Sequence, residues 1–257
     1  MRPPSHDLSA DIRRCAEIIQ KAGNGVVLTG AGISTPSGIP DFRSPTGLWK
    51  RYNPFEVASL STFRYRPEKF FAWLREIALE INVANPNPAH TAIVAMEQSG
   101  HLNTIITQNV DRLHQQAGSK HVLEIHGSLA TSTCSRCYRQ FDTSEFMSHF
   151  LDTSEIPHCP DCGGILKPDI ILFEEQLPIK TWLRAQEACL SCDLILVVGS
   201  SLEVLPVAGL PILALENDAP LLIINEMETY LDVRAEVTLK ADAADVLPKI
   251  AELVNTT

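Results

Sequence analysis

The alternation of short apolar runs with helix-like stretches limits the fold of this chain more than any other feature. β-Branched and aliphatic residues form short runs at 26–28, 104–107, 122–125, 194–198, 221–224 and 237–239. The first run follows a helical apolar repeat over 11–22 and a turn at Gly23-Asn24-Gly25. Strands separated by helices pair in parallel and are covered on both faces. The sequence therefore predicts an α/β fold with a mostly parallel, doubly wound sheet.

Two segments interrupt this alternation. Between Pro40 and Pro88 no strand is predicted, but apolar residues at helical spacing predict a helix over 67–81. The core-facing positions of this helix are Phe70, Phe71, Leu74, Ile77 and Ala78. From Thr131 to Gly164 the sequence is polar and contains two cysteine pairs. We expect the two segments to build a smaller domain over one edge of the sheet.

Charge and composition exclude several classes of protein. The 257 residues include 31 acidic and 21 basic side chains, and the net charge of −10 argues against a surface that binds nucleic acid through its phosphates. Residues 1–10 are polar, and no apolar run approaches the roughly 18 residues that span a bilayer. We therefore expect a soluble, unexported, cytoplasmic protein without a nucleic-acid or membrane partner.

The two Cys-x-x-Cys pairs between Thr131 and Gly164 are the strongest local chemical signal, and a third pair, Cys189 and Cys192, has no partner pair. The chain has seven cysteines, and an odd number fits metal-bound thiolates in a reducing compartment better than a disulfide framework. Two such pairs suit one tetrahedral zinc ion, and four protein ligands leave no open position, so the site is expected to be structural. The alternatives are four unligated thiols or two disulfides. The candidate ligands are Cys134, Cys137, Cys159 and Cys162, whereas Cys15, Cys189 and Cys192 are expected to be buried apolar residues.

A glycine-rich turn follows the first predicted strand. Gly30 and Gly32 would let backbone N–H groups approach a pyrophosphate at the start of a helix. Thr35 stands where the dinucleotide fingerprint has its third glycine, and no acidic strand end follows about 20 residues later. Dinucleotide binding is therefore predicted, but ordinary dehydrogenase chemistry is not. A turn that serves backbone geometry alone is the alternative.

Polar or glycine-containing clusters follow further predicted strands. The carboxyl ends of parallel strands meet at one edge of a sheet, where ligands bind in such folds. His126 could act there as a general base, because the pKa of histidine lies near neutrality, although a lone histidine is more often structural. The amides and carboxylates could hold a ribose or a carboxamide, or they could cap helices. The clusters contain Gln108, Asn109, Asp111 and His114, then His126, then Gly199, Ser200 and Ser201, and finally Asn225.

Taken in order, these motifs resemble those of the sirtuins, the silent-information-regulator family, and in particular bacterial or archaeal members with a zinc site. The match extends from about Ile12 to Val254. Several motifs are long, and their order is particular to the family. They are GAGIS from Gly30, GIPDFR from Gly38, TQNVDRLH from Thr107, the His-Gly pair at His126, the paired Cys-x-x-Cys motifs, GSSL from Gly199 and IIN ending at Asn225.

The resemblance implies a large Rossmann-like domain, an inserted zinc-ribbon plus helical domain, and NAD bound in the cleft between them. The implied bounds are 1–43, 87–130 and 166–257 for the NAD-binding domain, 44–86 for the helical module with the cofactor loop, and 131–165 for the zinc-binding module. His126 would be the catalytic base, and Asn109 would orient the ribose. The implied NAD contacts are Gly30, Ala31, Gly32, Thr35, Asp41, Phe42, Arg43, Gln108, Asn109, Val110, Asp111, His126, Gly199, Ser200, Ser201, Asn225 and Ala243.

The same resemblance implies that the chain removes acyl groups from lysine side chains of proteins or peptides. One NAD would be consumed, and the products would be nicotinamide, free lysine and O-acyl-ADP-ribose. Two alternatives stay open: mono-ADP-ribosyl transfer to protein, and a non-catalytic module that binds NAD, zinc or a partner. We expect a monomer. The implied peptide contacts are Ile171, Phe173, Glu174 and Val204.

Three positions depart from the pattern of many sirtuins. Glu174 stands where a glycine is common, which indicates a shift toward peptides with basic flanks. Asp169 and Ala241 stand where the family often has asparagine and glycine. Relatives that remove succinyl or malonyl groups bind the acyl carboxylate with a tyrosine and an arginine. Phe71 and Leu74 are the matching positions here, so acetyl or longer neutral acyl groups are predicted.

Overall fold

The fold is built on two β-sheets. The structure is a computed structural model that describes residues 8–256. The expectations for residues 1–7 and for residue 257 lie outside the described residues. The strands are β1 (Gly25–Thr29), β2 (Leu102–Thr107), β3 (Val122–Glu124), β4 (Gly127–Cys134), β5 (Gln140–Asp142), β6 (Leu166–Ile170), β7 (Leu194–Val198), β8 (Leu221–Ile224) and β9 (Val237–Leu239). The helices are α1 (Leu8–Ile19), α2 (Pro54–Val57), α3 (Leu60–Tyr65), α4 (Pro67–Val83), α5 (Pro88–Gln98), α6 (Leu113–Ala117), α7 (Ser144–Thr153), α8 (Ile179–Ser191), α9 (Leu210–Leu215) and α10 (Ala243–Asn255).

The larger sheet has six strands in the order β3-β2-β1-β7-β8-β9. Every neighbouring pair in it is parallel. The chain runs outward from β1 in one direction and then from β7 in the other, which is the doubly wound order that creates a crevice between β1 and β7. The predicted α/β fold is confirmed.

Apolar side chains cover both faces of this sheet. All residues of β1, β7 and β8 are buried, as expected for parallel strands packed between two helical layers. One core cluster joins α1, α5 and α10 to the sheet, and a second joins α8 and α9 to its other face. No helix among residues 8–256 is both long enough and apolar enough to cross a membrane.

The two interrupting segments share one core, as expected. β4, β5 and β6 form an antiparallel sheet in the order β5-β4-β6. Residues from this sheet, from α2, α3 and α4, and from α7 pack together, with Phe63, Phe70, Phe71, Phe150 and Ile170 among the buried members. The sheet begins at Gly127 and ends at Ile170. The exact bounds of the two domains stay predictions.

Several predicted element bounds differ from the structure. The first helix is assigned to Leu8–Ile19 rather than to 11–22. At its end, Gln20 N–H still bonds to Ala16 four residues back, but Lys21 and Ala22 bond three residues back, as in a tight turn. The predicted strand over 122–125 ends at Glu124, and the predicted helix over 67–81 continues to Val83. Helix α7 was not predicted, although Phe146, Met147, Phe150 and Leu151 recur in it at helical spacing, because the segment from Thr131 to Gly164 was interpreted as polar.

Candidate active site

The glycine turn after β1 packs against the glycine turn after β7. Gly32 N–H donates to the carbonyl of Gly199 at 2.9 Å, and Gly30 N–H donates to Val198 at 3.0 Å. Gly199 has φ of 59°, and a Cβ on it would lie 2.2 Å from Ile33 N. Only glycine fits this position. Backbone geometry therefore explains these glycines, and the same two turns also line the large cavity described below.

The predicted start of an α-helix after the first glycine turn is wrong. Two three-residue 3-10 turns, Ala31–Ile33 and Thr35–Ser37, follow instead. Gly38 ends the second turn in a left-handed conformation with φ of 89°. Such short turns align too few peptide dipoles to favour a phosphate strongly. The long helix that begins at the cavity is α10, whose first residue Ala243 lines it.

Asn109 and Asp111 occupy the loop after β2 and are both buried. Asn109 Nδ2 donates to the carbonyl of Gly30 and to Ser34 Oγ, each at 3.1 Å. Ser34 Oγ donates to Asp111 Oδ2 at 2.7 Å, and Leu113 N–H donates to Asp111 Oδ1 at 2.9 Å. Burial raises the pKa of Asp111, although these hydrogen bonds oppose the shift. The glycine turn and the amide–acid loop thus form one hydrogen-bonded unit.

His126 lies two residues beyond the end of β3. Its Nδ1 is 3.0 Å from the carbonyl oxygen of Gln108. Because a carbonyl oxygen can only accept, Nδ1 must carry the hydrogen, and Nε2 of the neutral ring keeps a free lone pair. Burial lowers the pKa of His126, the bond to Gln108 opposes that shift, and nearby Arg43 reinforces it. The ring is thus held neutral in the tautomer that a proton acceptor needs.

One cavity of about 770 Å³ collects the predicted residues. This volume lies within the range of roughly 300–1,000 Å³ that is typical of ligand sites. Every residue predicted to contact the cofactor or the peptide lines the cavity. Gln108 Nε2 donates to Ser200 Oγ at 2.8 Å, which links the loop after β2 to the turn after β7. The roles of the individual residues stay predictions, but their convergence around one cavity is a property of the structure.

The loop that follows Gly38 closes one side of the cavity. Asp41 Oδ1 accepts hydrogen bonds from Arg43 N and Ser44 N at 2.9 and 2.8 Å. Arg43 forms an ion pair at 3.1 Å with Glu203, which follows the glycine turn after β7. The Phe42 ring packs on Trp49 with centroids 4.9 Å apart. The loop is therefore ordered by its own contacts and presents an aromatic ring and a guanidinium to the cavity.

The four cysteines of the paired motifs converge as expected. Their Sγ atoms all lie within 4.8 Å of one another, with Cys134 and Cys162 at 3.4 Å and Cys137 and Cys159 at 3.7 Å. Tetrahedral zinc with Zn–S bonds of about 2.3 Å places its ligands about 3.8 Å apart, so the cluster fits one ion. The backbone N–H of Cys137 lowers the pKa of the Cys134 thiol, whereas burial and the three neighbouring thiols raise the pKa of Cys137, because the clustered thiols titrate together. None of the four lines the cavity, so the site suits a structural role.

Comparison with known proteins identifies the family. The model of the Sir2 family matches residues 30–206, from the first glycine turn to the proline that follows Val204 and Leu205. The chain belongs to the Sir2 family. The matched range contains the glycine turns, the amide–acid loop, His126 and all four clustered cysteines. The resemblance inferred from the sequence is confirmed.

Close relatives cover nearly all of this Sir2 chain. It is 46% identical over 245 residues to NAD-dependent protein deacylase 2 of Archaeoglobus fulgidus, covering 95% of this chain and 96% of that protein. A solved Sir2 enzyme structure has a TM-score of 0.91 at 45% identity and covers 96% of this chain and 98% of its own. Another, a Sir2 variant with a deacetylated p53 peptide and 3'-O-acetyl ADP ribose, has a TM-score of 0.89 at 35% identity, with 94% and 97% covered.

The apolar wall of this Sir2 cavity was only partly predicted. Phe71 and Leu74, the positions expected near the acyl group, lie in the core of the smaller domain and do not line the cavity. Trp73 and Ile77 of the same helix line it instead, together with Ile81. Periodicity identifies the buried stripe of α4 but cannot separate residues that face the core from those that face a cavity. Other apolar lining residues that were missed include Ile39, Leu177 and Trp182.

Two departures from the usual Sir2 pattern have different consequences. Asp169 accepts hydrogen bonds from Thr131, Thr133 and Gln140 at 2.6 to 2.7 Å, and it does not line the cavity. An aspartate instead of an asparagine at position 169 therefore affects the antiparallel sheet rather than the cavity. Ala241 does line the cavity, next to Asp242 and Ala243 at the start of α10.

Two histidines lie buried behind the amide–acid loop. His114, from the strand-end motif, does not line the cavity, and its Nε2 is 3.0 Å from Thr29 Oγ1. Its ring is 4.9 Å from that of His90, which forms a capping box at the start of α5 with Asn87. Burial lowers the pKa of His90 to about 4 and that of His114 to about 3. Both therefore act as neutral packing groups at neutral pH.

Proposed function

We propose that this chain is an NAD-dependent protein-lysine deacylase that yields nicotinamide, free lysine and O-acyl-ADP-ribose. The observation that carries the proposal is the neutral ring of His126, with its free Nε2, in the cavity that also contains the amide–acid loop. The relatives support it, because one is named an NAD-dependent protein deacylase and another was solved with a deacetylated peptide and an acetylated ADP-ribose.

NAD fits the polar part of the cavity by the chemistry of its lining. Asn109 and Asp111 offer an amide and a carboxylate close together in a buried pocket, as recognition of a carboxamide or a ribose requires. Ser200, Ser201 and Asn225 add small polar groups at the adjacent strand ends. When bound, NAD would supply the ADP-ribosyl group to which the acyl oxygen is transferred, with nicotinamide as the leaving group.

The protein residues then have distinct tasks. His126 Nε2 accepts a proton from a ribose hydroxyl, and the carbonyl of Gln108, bonded to Nδ1, stabilises the positive ring that results. Asn109, fixed by the Gly30 carbonyl and Ser34, orients the ribose. Phe42 and the apolar wall exclude water from the reacting centre.

The acyl group that fits best is neutral. Trp73, Ile77 and Ile81 form an apolar wall. Arg43 is the one lysine or arginine among the described residues that line the cavity, and it is paired with Glu203. A carboxylate on the acyl group would be desolvated there without a partner. We therefore propose acetyl or longer neutral acyl groups rather than succinyl or malonyl.

Product analysis tests the proposed reaction. Purified protein is incubated with an acetyl-lysine peptide, with and without NAD, and nicotinamide and peptide mass are followed. We expect nicotinamide and deacetylated peptide in equal amounts, and only when both substrates are present. Label from NAD that remains on protein would instead indicate ADP-ribosyl transfer, and absence of any NAD cleavage would indicate a binding module.

We further propose that the chain acts as a monomeric acyl-group transferase in a reducing compartment, the cytoplasm, on acyl-lysine proteins and without nucleic-acid or membrane partners. Its seven cysteines are free thiols, as zinc ligation requires, and its net charge of −10 disfavours phosphate backbones. Size-exclusion chromatography and cell fractionation test this setting, and an oligomer or a membrane-bound fraction would contradict it.

A further inference from the structure

Residues 171–175, here called the bridging segment, connect His126 to the start of α3. At one end, Ile171 N–H donates to the carbonyl of His126 at 2.8 Å. At the other end, Phe173 N–H donates to Ala58 and the Phe173 carbonyl accepts from Leu60 N–H, each at 3.0 Å. The segment therefore connects the candidate catalytic base to the residues that begin α3. All five of its residues line the cavity.

Glu174 holds the outer end of the bridging segment in a strained conformation. Its φ is 73°, in the left-handed region that side chains with a Cβ rarely adopt. Its Oε2 accepts a hydrogen bond from Ser61 N–H at 2.9 Å, in the first turn of α3. Hydrogen bonding with the side chain of Ser61, and then with its backbone N–H, lowers the pKa of the Glu174 carboxyl, so the group is ionised at neutral pH. The exposed side chain thus contacts Ser61, and this contact joins the bridging segment to α3.

Glu175 holds the inner part of the same segment by a separate set of contacts. Its carboxylate accepts from Leu172 N–H and pairs with Lys167, each at 2.9 Å. Both charged side chains are largely buried, with 20% and 17% of their surface exposed. These contacts do not involve Glu174, so they would still hold the inner part of the segment against β6 if the Glu174 contact were lost. Loss of the Glu174 contact would loosen the edge between Phe173 and α3, which the two backbone hydrogen bonds of Phe173 would then hold alone.

We propose that Glu174 is a positioning residue for the acylated peptide, because its carboxylate ties the edge of the bridging segment to the start of α3. The inference rests on the proposed function and on the predicted peptide contacts at Ile171, Phe173 and Val204, which line the same cavity. A tied edge presents its backbone to an extended peptide in one geometry. The NAD-contacting residues lie on other elements, so NAD binding does not depend on this tie.

The test uses the full chain with Glu174→Ala and Glu174→Gln. Alanine keeps a Cβ, so the backbone strain is unchanged and only the carboxylate is lost, whereas glutamine keeps a hydrogen-bond acceptor and loses the charge. We expect Glu174→Ala to raise the KM for an acetyl-lysine peptide about tenfold, with the KM for NAD and kcat changed less than twofold. Glu174→Gln should restore most of the peptide KM.

Asp218→Ala is the matched control, because Asp218 is also an exposed acidic residue with positive φ, at 60°, but it does not line the cavity. It should leave the peptide KM unchanged. An unchanged peptide KM in Glu174→Ala overturns the proposal. It is also overturned if Glu174→Gln raises the peptide KM as much as Glu174→Ala does, because the effect would then be due to the charge of Glu174. Failure of the wild-type protein to release nicotinamide with the peptide would instead reject the proposed function itself.

Discussion

A single hydrogen bond at His126 determines what the ring can do. Since the Gln108 carbonyl fixes the proton on Nδ1, Nε2 is the basic atom, and burial disfavours its protonation before a substrate arrives. A histidine with a lowered pKa stays neutral to more acidic pH than an exposed one. The base therefore remains available on the acid side of the usual histidine range.

The pH dependence of deacylation follows from this pKa. The neutral form is active, so kcat/KM for the acetyl-lysine peptide should fall as pH is lowered, with its midpoint below the ordinary histidine value of 6.5. Circular dichroism at each pH separates this loss from unfolding. A midpoint above 6.5 would contradict the proposed state of His126.

His90 makes stability depend on pH in a predictable direction. Its folded-state pKa is lowered by burial from 6.5 to about 4, so the unfolded chain binds the proton more readily. The contribution of His90 to stability is complete above pH 6.5, and it is lost as the pH falls toward 4. From pH 7 to pH 5 we expect the free energy of unfolding to fall by ~2 kcal/mol through this group.

Urea denaturation of His90→Gln checks this value. The variant removes the titrating ring, so its free energy of unfolding should change less between pH 7 and pH 5 than that of the wild type. His121→Gln is the control, because His121 is exposed. Equal pH dependence in the wild type and His90→Gln would refute the assignment.

At the scale of elements, the contact between the two glycine turns fixes β1 against β7. Gly199→Ala would place a Cβ 2.2 Å from Ile33 N and 2.5 Å from Gly32 C, so the turns must separate. We expect a loss of about 2 kcal/mol or more, seen as a Tm lower by roughly 4–8 °C, together with weaker NAD binding. Gly209→Ala is the control, because a Cβ there meets no atom within 4 Å, and its Tm should be nearly unchanged.

The cysteine cluster predicts that one zinc ion stabilises the smaller domain. Cys159→Ser should abolish stoichiometric zinc and lower the Tm by roughly 5–10 °C, since bound metal contributes directly to folding. Elemental analysis and thermal melting measure both effects. Cys192→Ala, at a buried cysteine outside the cluster, should keep one zinc per chain. Full zinc content in Cys159→Ser would exclude the four-cysteine site.

The sequence predicted those parts of the site that short-range patterns encode. The strand ends carry Asn109, His126 and Ser200, and parallel pairing brings strand ends together, so their convergence followed from the order of elements alone. The apolar wall did not follow. Whether Trp73 or Phe71 faces the cavity depends on how α4 packs against the rest of the smaller domain, which the helical period does not contain.

At the scale of the whole molecule, the cavity has two chemically different parts. The larger sheet contributes polar strand ends and glycine turns, whereas α4 of the smaller domain contributes an apolar wall. A dinucleotide and an acyl chain need these two environments side by side. The reaction therefore depends on both domains at once, and the bridging segment joins them at His126.

The most direct measurement of this account compares deacylation by the wild type, His126→Ala and His121→Ala. With NAD and an acetyl-lysine peptide, we expect His126→Ala to lose at least about 100-fold in the rate of peptide deacetylation, as removal of a general base does. His121→Ala, at an exposed histidine outside the cavity, should match the wild type. A folded His126→Ala variant that deacetylates the peptide at a rate close to that of the wild type would contradict the account.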